Sequence, residues 1–346
     1  VSAIRVVVVD DSSLCRAVLR EILERDGAIE VVGESADGAE ALEMVARLRP
    51  QLATIDIEMP GTDGLTAIGR IMAACPLPIL VVTGRPAGER SHTLFEAVRR
   101  GALDLFPKPS LDDLEEGRAL RALVRSLAAV PVVRHLPTTS MRAAAHFAWT
   151  STQDRVRVIG IGASAGGPSA VAAVLAALPP GMPACVAVVQ HILPGFARPF
   201  CEFLRHNSRL AIQLVDEEVA WHPGTVFVAP DERHLVARPN DRFAPSDAPP
   251  ECGHRPSVDV LFRSLADVHG KTAAGVVLSG MGDDGTRGLA AMTQAGALTL
   301  AQSEEGCAVY GMPKTAIERG AARRAVPLGD IAGVLDRAMR GEDAGS

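Results

Sequence analysis

Short, unbroken apolar runs, each followed by about one helix-length of chain, leave this sequence few ways to fold. In the first third the runs fall at residues 4–9, 30–32, 52–55, 79–82 and 103–106. A strand with one wet face alternates apolar and polar side chains. These runs do not alternate, so each is expected to be buried on both faces. The intervening segments 14–25, 39–48, 65–74, 90–100 and 111–128 have helical spacing. Together they predict an α/β unit with a doubly wound parallel sheet.

The pattern lapses over residues 129–153, where prolines and a Thr/Ser cluster break any period, and that stretch reads as a linker. Its Arg134, His135 and Arg142 are read as part of a solvated tether. A second α/β unit follows. Strands are expected at 156–160, 184–189, 212–215, 226–228, 273–278 and 297–300. Helices are expected at 167–178, 196–206, 257–268, 284–295, 313–319 and 329–339, and 239–250 reads as an exposed loop. The domain reading is therefore 1–128, a linker over 129–153, and 154–346 with a mainly parallel sheet. A length of 346 residues suits two domains of ordinary size.

A net charge of -6 argues against nucleic acid as a partner, because neutralising phosphates needs clustered Lys and Arg. Six cysteines show neither a CxxC pair nor a zinc-like Cys/His spacing. No signal peptide precedes the first strand, and no apolar stretch reaches the ~18 residues of a membrane span. The expectation is a cytoplasmic protein with reduced thiols and no membrane insertion.

Parallel sheets bind ligands at the carboxyl ends of their strands. In the first unit those ends carry Asp10 and Asp11, Asp56, Thr83 and Lys108. Converging carboxylates repel one another unless a cation sits among them, and a hard ion such as Mg²⁺ suits oxygen ligands. Asp56 can attack a phosphoryl group, with Lys108 and Thr83 left to hold the phosphate oxygens. The bland alternative is that these acids cap the next helix, but Ser12 or Ser13 could do that alone.

Residues 4 to about 125 resemble a response-regulator receiver domain, flavodoxin-like in fold, through VVVVDDS (6–12), DIEMPGTDGL (56–65), VVTG (81–84) and FPKP (106–109). The resemblance implies a phosphoacceptor at Asp56, fed by a chemotaxis histidine kinase, with Mg²⁺ held by Asp10, Asp11 and Asp56. It also implies switch roles for Thr83 and Phe106. Thr62 stands where Met is more usual, and Gly84 where Ser or Ala is.

In the second unit, Gly162-Ala-Ser164-Ala-Gly166 joins a buried strand to a helix and fits the G-x-S-x-G turn that exposes a nucleophilic serine. His191 ends the next apolar run as a candidate base. An acid, either Asp283 or Asp284 by spacing, follows a later run in GMGDDG. Three such residues past the ends of parallel strands meet the needs of a Ser-His-Asp triad. A dinucleotide loop fits less well: the third glycine is one place late and no acid ends the following strand. A plain phosphate-binding turn is the other weak reading. The remaining eight histidines, His254 included, are expected in core or loop roles. The chain order Ser, His, Asp argues against the α/β-hydrolase family.

This half resembles the catalytic domain of CheB-type chemotaxis methylesterases. The motifs are IGASAGGP (161–168), QHILPGF (190–196), PGTVFVAP (223–230), HRPSVDVLF (254–262), LSGMGDDGTRG (278–288) and VYGMPK (309–314). The resemblance implies a triad of Ser164, His191 and Asp284, with Asp283 at a variable position. It also implies an oxyanion hole from the backbone N–H groups of Ala165 and Met281, and no cofactor at the esterase site. The expected activity is hydrolysis of glutamate methyl esters, and deamidation of glutamines, on methyl-accepting chemoreceptors. The expected control is a receiver that covers the active site until Asp56 is phosphorylated. The alternatives are a hydrolase acting on another target, or a second domain kept as a binding module.

Overall fold

The computed structural model of the chain describes residues 3–59, 63–84, 91–130, 155–192 and 194–342. Thr62 and all but the first two residues of the expected linker, Arg134, His135 and Arg142 included, lie outside the described residues. The chain divides into two compact units, Val1–Leu136 and Pro137–Ser346.

The first unit runs β1 (Ile4–Val9), α1 (Ser13–Glu24), β2 (Ile29–Ser35), α2 (Gly38–Leu48), β3 (Leu52–Ile55), α3 (Gly64–Ala74), β4 (Ile79–Thr83), α4 (Ser91–Arg99), β5 (Asp104–Pro107) and α5 (Leu114–Ala128). All pairings in its sheet are parallel, in the order β2-β1-β3-β4-β5. The strand order reverses between β1 and β3, which opens a crevice at their carboxyl ends. Side chains cap the helices locally: Ser12 accepts from the Cys15 N–H, Asp63 from Thr66, and Asp113 from Glu115 and Glu116.

The second unit runs β6 (Val158–Ala163), α6 (Gly167–Ala177), β7 (Cys185–Gln190), α7 (Ala197–Asn207), β8 (Ala211–Leu214), β9 (Val219–Ala220), β10 (Thr225–Val228), β11 (His234–Arg238) and β12 (Arg242–Ser246). It continues with α8 (Val258–His269), β13 (Ala273–Val277), α9 (Thr286–Gln294), β14 (Leu298–Gln302), α10 (Met312–Glu318), β15 (Arg324–Val326) and α11 (Leu328–Arg340). Its main sheet has seven strands in the order β15-β14-β13-β6-β7-β10-β8, all parallel. Here the order reverses at β6, flanked by β7 and β13.

The structure corrects one expectation. Residues 239–250 are not simply an exposed loop, because β12 forms within them and pairs antiparallel with β11 and β9. Asn240 and Asp241 take positive φ values of 63° and 55° and turn the chain back on itself. The Pro- and Asp-rich composition hid a hairpin whose turn residues were legible. Strands β9, β11 and β15 were likewise not expected.

Candidate active site and receiver pocket

Helix α8 packs unusually close to the sheet. A Cβ on Gly162 would lie 2.1 Å from a methyl of Val258, the first residue of α8, so β6 is bare where the helix arrives. That approach aims the α8 N-terminus at the end of β13, where Asp284 lies. The Asp284 carboxylate is 2% exposed and surrounded by donors. Oδ1 accepts from Ser257 Oγ at 2.8 Å, from the Asp259 N–H at 3.0 Å and from the Gly285 N–H at 2.9 Å. Oδ2 accepts from the Val258 N–H at 2.8 Å and faces His191 Nε2 at 2.8 Å. Burial alone would raise its pKa. His191 and the free N–H groups of the helix outweigh it and hold the carboxyl well below the usual range. Asp283 is instead exposed and pairs with Arg319.

His191 follows β7, and its N–H donates to Ala163 O at 2.9 Å, which sets it beside the residue preceding Ser164. With Nε2 turned to Asp284, its buried Nδ1 has no hydrogen-bond partner among the described residues. The Nε2–H tautomer fits this geometry, because a carboxylate only accepts, and it leaves Nδ1 as a free base.

Ser164 is half-buried on the turn after β6, and Gly166 completes that turn at φ 69°. Its N–H donates to Ser279 O and its carbonyl accepts from the Gly167 N–H. The 279–281 turn runs directly against it: a Cβ on Gly280 would lie 2.8 Å from Ser164 Cβ. Among the described residues no acceptor takes the Ala165 or Met281 N–H. The α6 N-terminus has no side-chain cap. Unpaired N–H groups on the turns at Ser164 are the kind of donor that can stabilise an oxyanion.

Three contributors escaped the sequence reading. The His254 ring stacks on His191 with centroids 4.0 Å apart and planes 3° from parallel. Burial first, and the neighbouring His191 second, push its pKa down. The sequence suggested a core or loop role for it, and its place in a motif-dense segment was the one signal of its nearness to His191. Ser257 both caps α8 and donates to Asp284. Buried Ser279 donates from Oγ to Ala165 O at 2.7 Å and accepts from the Val309 N–H. Nothing in the spacing marks either serine, because each acts through a fold-level approach.

In the first unit Asp10, Asp11 and Asp56 bring carboxylate oxygens within 4.8 Å of one another. Asp10 and Asp56 are buried and Asp11 is exposed. Lys108 Nζ lies 2.6 Å from Asp56 Oδ2 and 2.8 Å from Asp10 Oδ2. Burial would lower the lysine pKa, but these two carboxylates raise it above the ordinary value. Burial raises the Asp10 pKa despite the lysine. Asp10 Oδ2 is buried, and the Lys108 ammonium is its near neighbour among the described residues. Three carboxylates that bring hard oxygen donors this close, with only one lysine ammonium between two of them, fit a divalent cation such as Mg²⁺. Thr83 and Phe106 are buried at the ends of β4 and β5, and Thr83 O accepts from the Lys108 N–H. Ser12 caps α1, so Asp10 and Asp11 are not needed for that task.

Among the described residues no helix is long and apolar enough to cross a membrane. The cysteines are free thiols.

The pattern of the CheB methylesterase family matches residues 159–335, and that of the response regulator receiver domain matches residues 6–117. The chain is similar to the protein-glutamate methylesterase/protein-glutamine glutaminase 2 of Anaeromyxobacter dehalogenans (strain 2CP-C), at 44% identity over 339 residues and 97% of each chain. It is 38% identical over 334 residues to the protein-glutamate methylesterase/protein-glutamine glutaminase of Yersinia pestis bv. Antiqua (strain Antiqua), covering 95% of each. The crystal structure of the Thermotoga maritima CheB methylesterase catalytic domain superposes with a TM-score of 0.51 at 32% identity, over 53% of this chain and 98% of that one.

Proposed function

The chain belongs to the CheB methylesterase family, with a response regulator receiver domain ahead of the catalytic domain, and from that premise we propose which residues carry each step. It is a protein-glutamate methylesterase/protein-glutamine glutaminase of the chemotaxis two-component type. The working division is a receiver over 1–128, a tether over 129–153 and a catalytic unit over 154–346.

Ser164 Oγ attacks the side-chain carbonyl of a glutamate methyl ester. His191 takes the serine proton at Nδ1, and Asp284 stabilises the resulting imidazolium from the Nε2 side. The Ala165 and Met281 N–H groups receive the oxyanion, and loss of one such donor costs about 10²–10³ in turnover. The intermediate collapses, the C–O bond breaks, and His191 returns its proton to the departing methoxide as methanol. Water then attacks the acyl-enzyme by the same route and leaves a free glutamate. With glutamine, ammonia departs in place of methanol. One observation carries this assignment. His191, bonded through its backbone to the residue preceding Ser164, has one ring nitrogen committed to a buried carboxylate and the other without a partner among the described residues.

In the receiver, Asp56 accepts the phosphoryl group from a chemotaxis histidine kinase, and Lys108 and Thr83 hold its oxygens. Asp10, Asp11 and Asp56 would hold the Mg²⁺ ion, which when bound offsets negative charge during transfer. The substrates are methyl-accepting chemoreceptors.

The test is methanol release from a methylated receptor fragment by the wild type and by Ser164→Ala. Release by the wild type and none by the variant supports the assignment. No release by either would mean another target or a binding role for this domain.

A further inference from the structure

We propose that Gln190 is the residue that aims the Ala165 N–H at the oxyanion, a role that rests on the serine mechanism above. Gln190 ends β7 and is 3% exposed. Its Nε2 donates to Ser164 O at 2.8 Å and to His191 O at 3.1 Å. The amide can sit only this way round, because both partners are carbonyl oxygens, which accept and never donate. One NH₂ group thus ties the backbone of the nucleophile to the backbone of the base.

The tie is not a simple gain for the fold. Gln190 Oε1 is buried with no partner among the described residues, in the space that a Gly167 Cβ would need: such a Cβ would lie 2.3 Å from it. A buried acceptor without a donor destabilises the folded chain, and an apolar side chain of similar shape would avoid that cost. The glutamine is therefore accounted for by what its NH₂ group holds.

What it holds is a peptide plane. The Ser164 carbonyl is fixed by Gln190 Nε2 on one side and by the Gly167 N–H, at 2.7 Å, on the other. The Ser164–Ala165 peptide is planar and trans, so its C=O and its N–H point in opposite directions. Pinning the carbonyl toward Gln190 turns the Ala165 N–H the opposite way, to where it finds no acceptor among the described residues. Gln190 is thus a positioning residue. It touches no substrate and acts through the donor that does.

The experiment compares the full-length wild type with Gln190→Met, which keeps length and removes both donors, and with Gln190→Glu, which keeps shape. Each is assayed for methanol release and for the rate and end-point stoichiometry of labelling by a fluorophosphonate, whose phosphoryl oxygen must enter the same hole. The expected result for Gln190→Met is a kcat and a labelling rate about 10²-fold lower. KM, the end-point stoichiometry and the midpoint of the pH–rate profile should stay as in the wild type. Gln190→Glu should lose rate as pH rises and its carboxyl ionises against two carbonyl oxygens, an alkaline decline that the wild type lacks. Wild-type rates in both variants would overturn the proposal. So would a loss matched wholly by fewer labelled sites, which marks a role in folding alone. If the wild type labels at Ser164 yet releases no methanol, the functional assignment fails while the labelling comparison still decides the role of Gln190.

Discussion

His254 and His191 face each other as parallel rings, and two imidazolium charges at that distance would repel strongly. Burial already disfavours a charge on His254, and His191 adds to that, so the folded state holds His254 neutral below the pH at which a free histidine protonates. The sign of the linkage follows. The unfolded chain binds this proton first, at about pH 6.5, so stability conferred by the depressed pKa is present above that value and is lost as pH falls through it toward the folded one. His269, also depressed first by burial, pulls the same way. The catalytic unit should therefore unfold at a lower urea concentration at pH 5.5 than at pH 7.5. In His254→Phe, which keeps a flat ring over His191 and cannot titrate, the difference should shrink. An equal difference in the variant would locate the titration elsewhere.

At the level of elements, the catalytic geometry depends on how close α8 comes to β6. Gly162→Ala should push Val258 outward and, with it, the Ser257, Val258 and Asp259 donors that hold Asp284. Overpacking of this kind costs about 1–3 kcal/mol. The variant should lose stability and methanol release together, while labelling of Asp56 by a phosphodonor stays unchanged. Adding Val258→Ala should restore much of both, since the two sites share one contact. If the double variant is no better than the single one, the α8 approach is not what sets Asp284. The same contact shows what the sequence could and could not reveal. The strand ends that bear Ser164, His191, Asp10, Asp56 and Lys108 were legible because unbroken apolar runs announce buried parallel strands and point to their carboxyl edges. The choice between Asp283 and Asp284 by spacing was not legible, because it depends on which carboxylate the α8 N-terminus meets. Strands β9, β11 and β12 were missed because each carries an apolar run of at most three residues between polar ones, although Leu235, Ala237 and Phe243 are buried. Strand β15, three residues long at the sheet edge, left even less.

For the molecule as a whole, the question is how a charge placed on Asp56, the proposed phosphoacceptor, would control a serine more than a hundred residues later in the chain. In the first unit Lys108 is shared between Asp10 and Asp56, and its backbone N–H is bonded to Thr83 O. A phosphoryl group on Asp56 would bring new oxygen acceptors within reach of the Lys108 ammonium and the Thr83 hydroxyl. Lys108 would then change partners while still joined to β4. Such an exchange would give the receiver two arrangements whose balance depends on a single carboxylate, which is the requirement for a switch. Coupling between such sites typically amounts to about 1–3 kcal/mol, or roughly 5- to 150-fold in rate if all of it reaches the active site. Methanol release by the wild type should rise within that range when a small phosphodonor and Mg²⁺ are added. Asp56→Asn, with a similar shape and no nucleophilic carboxylate, should hold its donor-free rate whether or not the donor is present. Ser164→Ala should take up phosphate on Asp56 as the wild type does and release no methanol, which separates reception of the signal from its execution. Stimulation of Asp56→Asn to the wild-type level would show that the donor acts somewhere other than this pocket, and the receiver's carboxylates would then need another role.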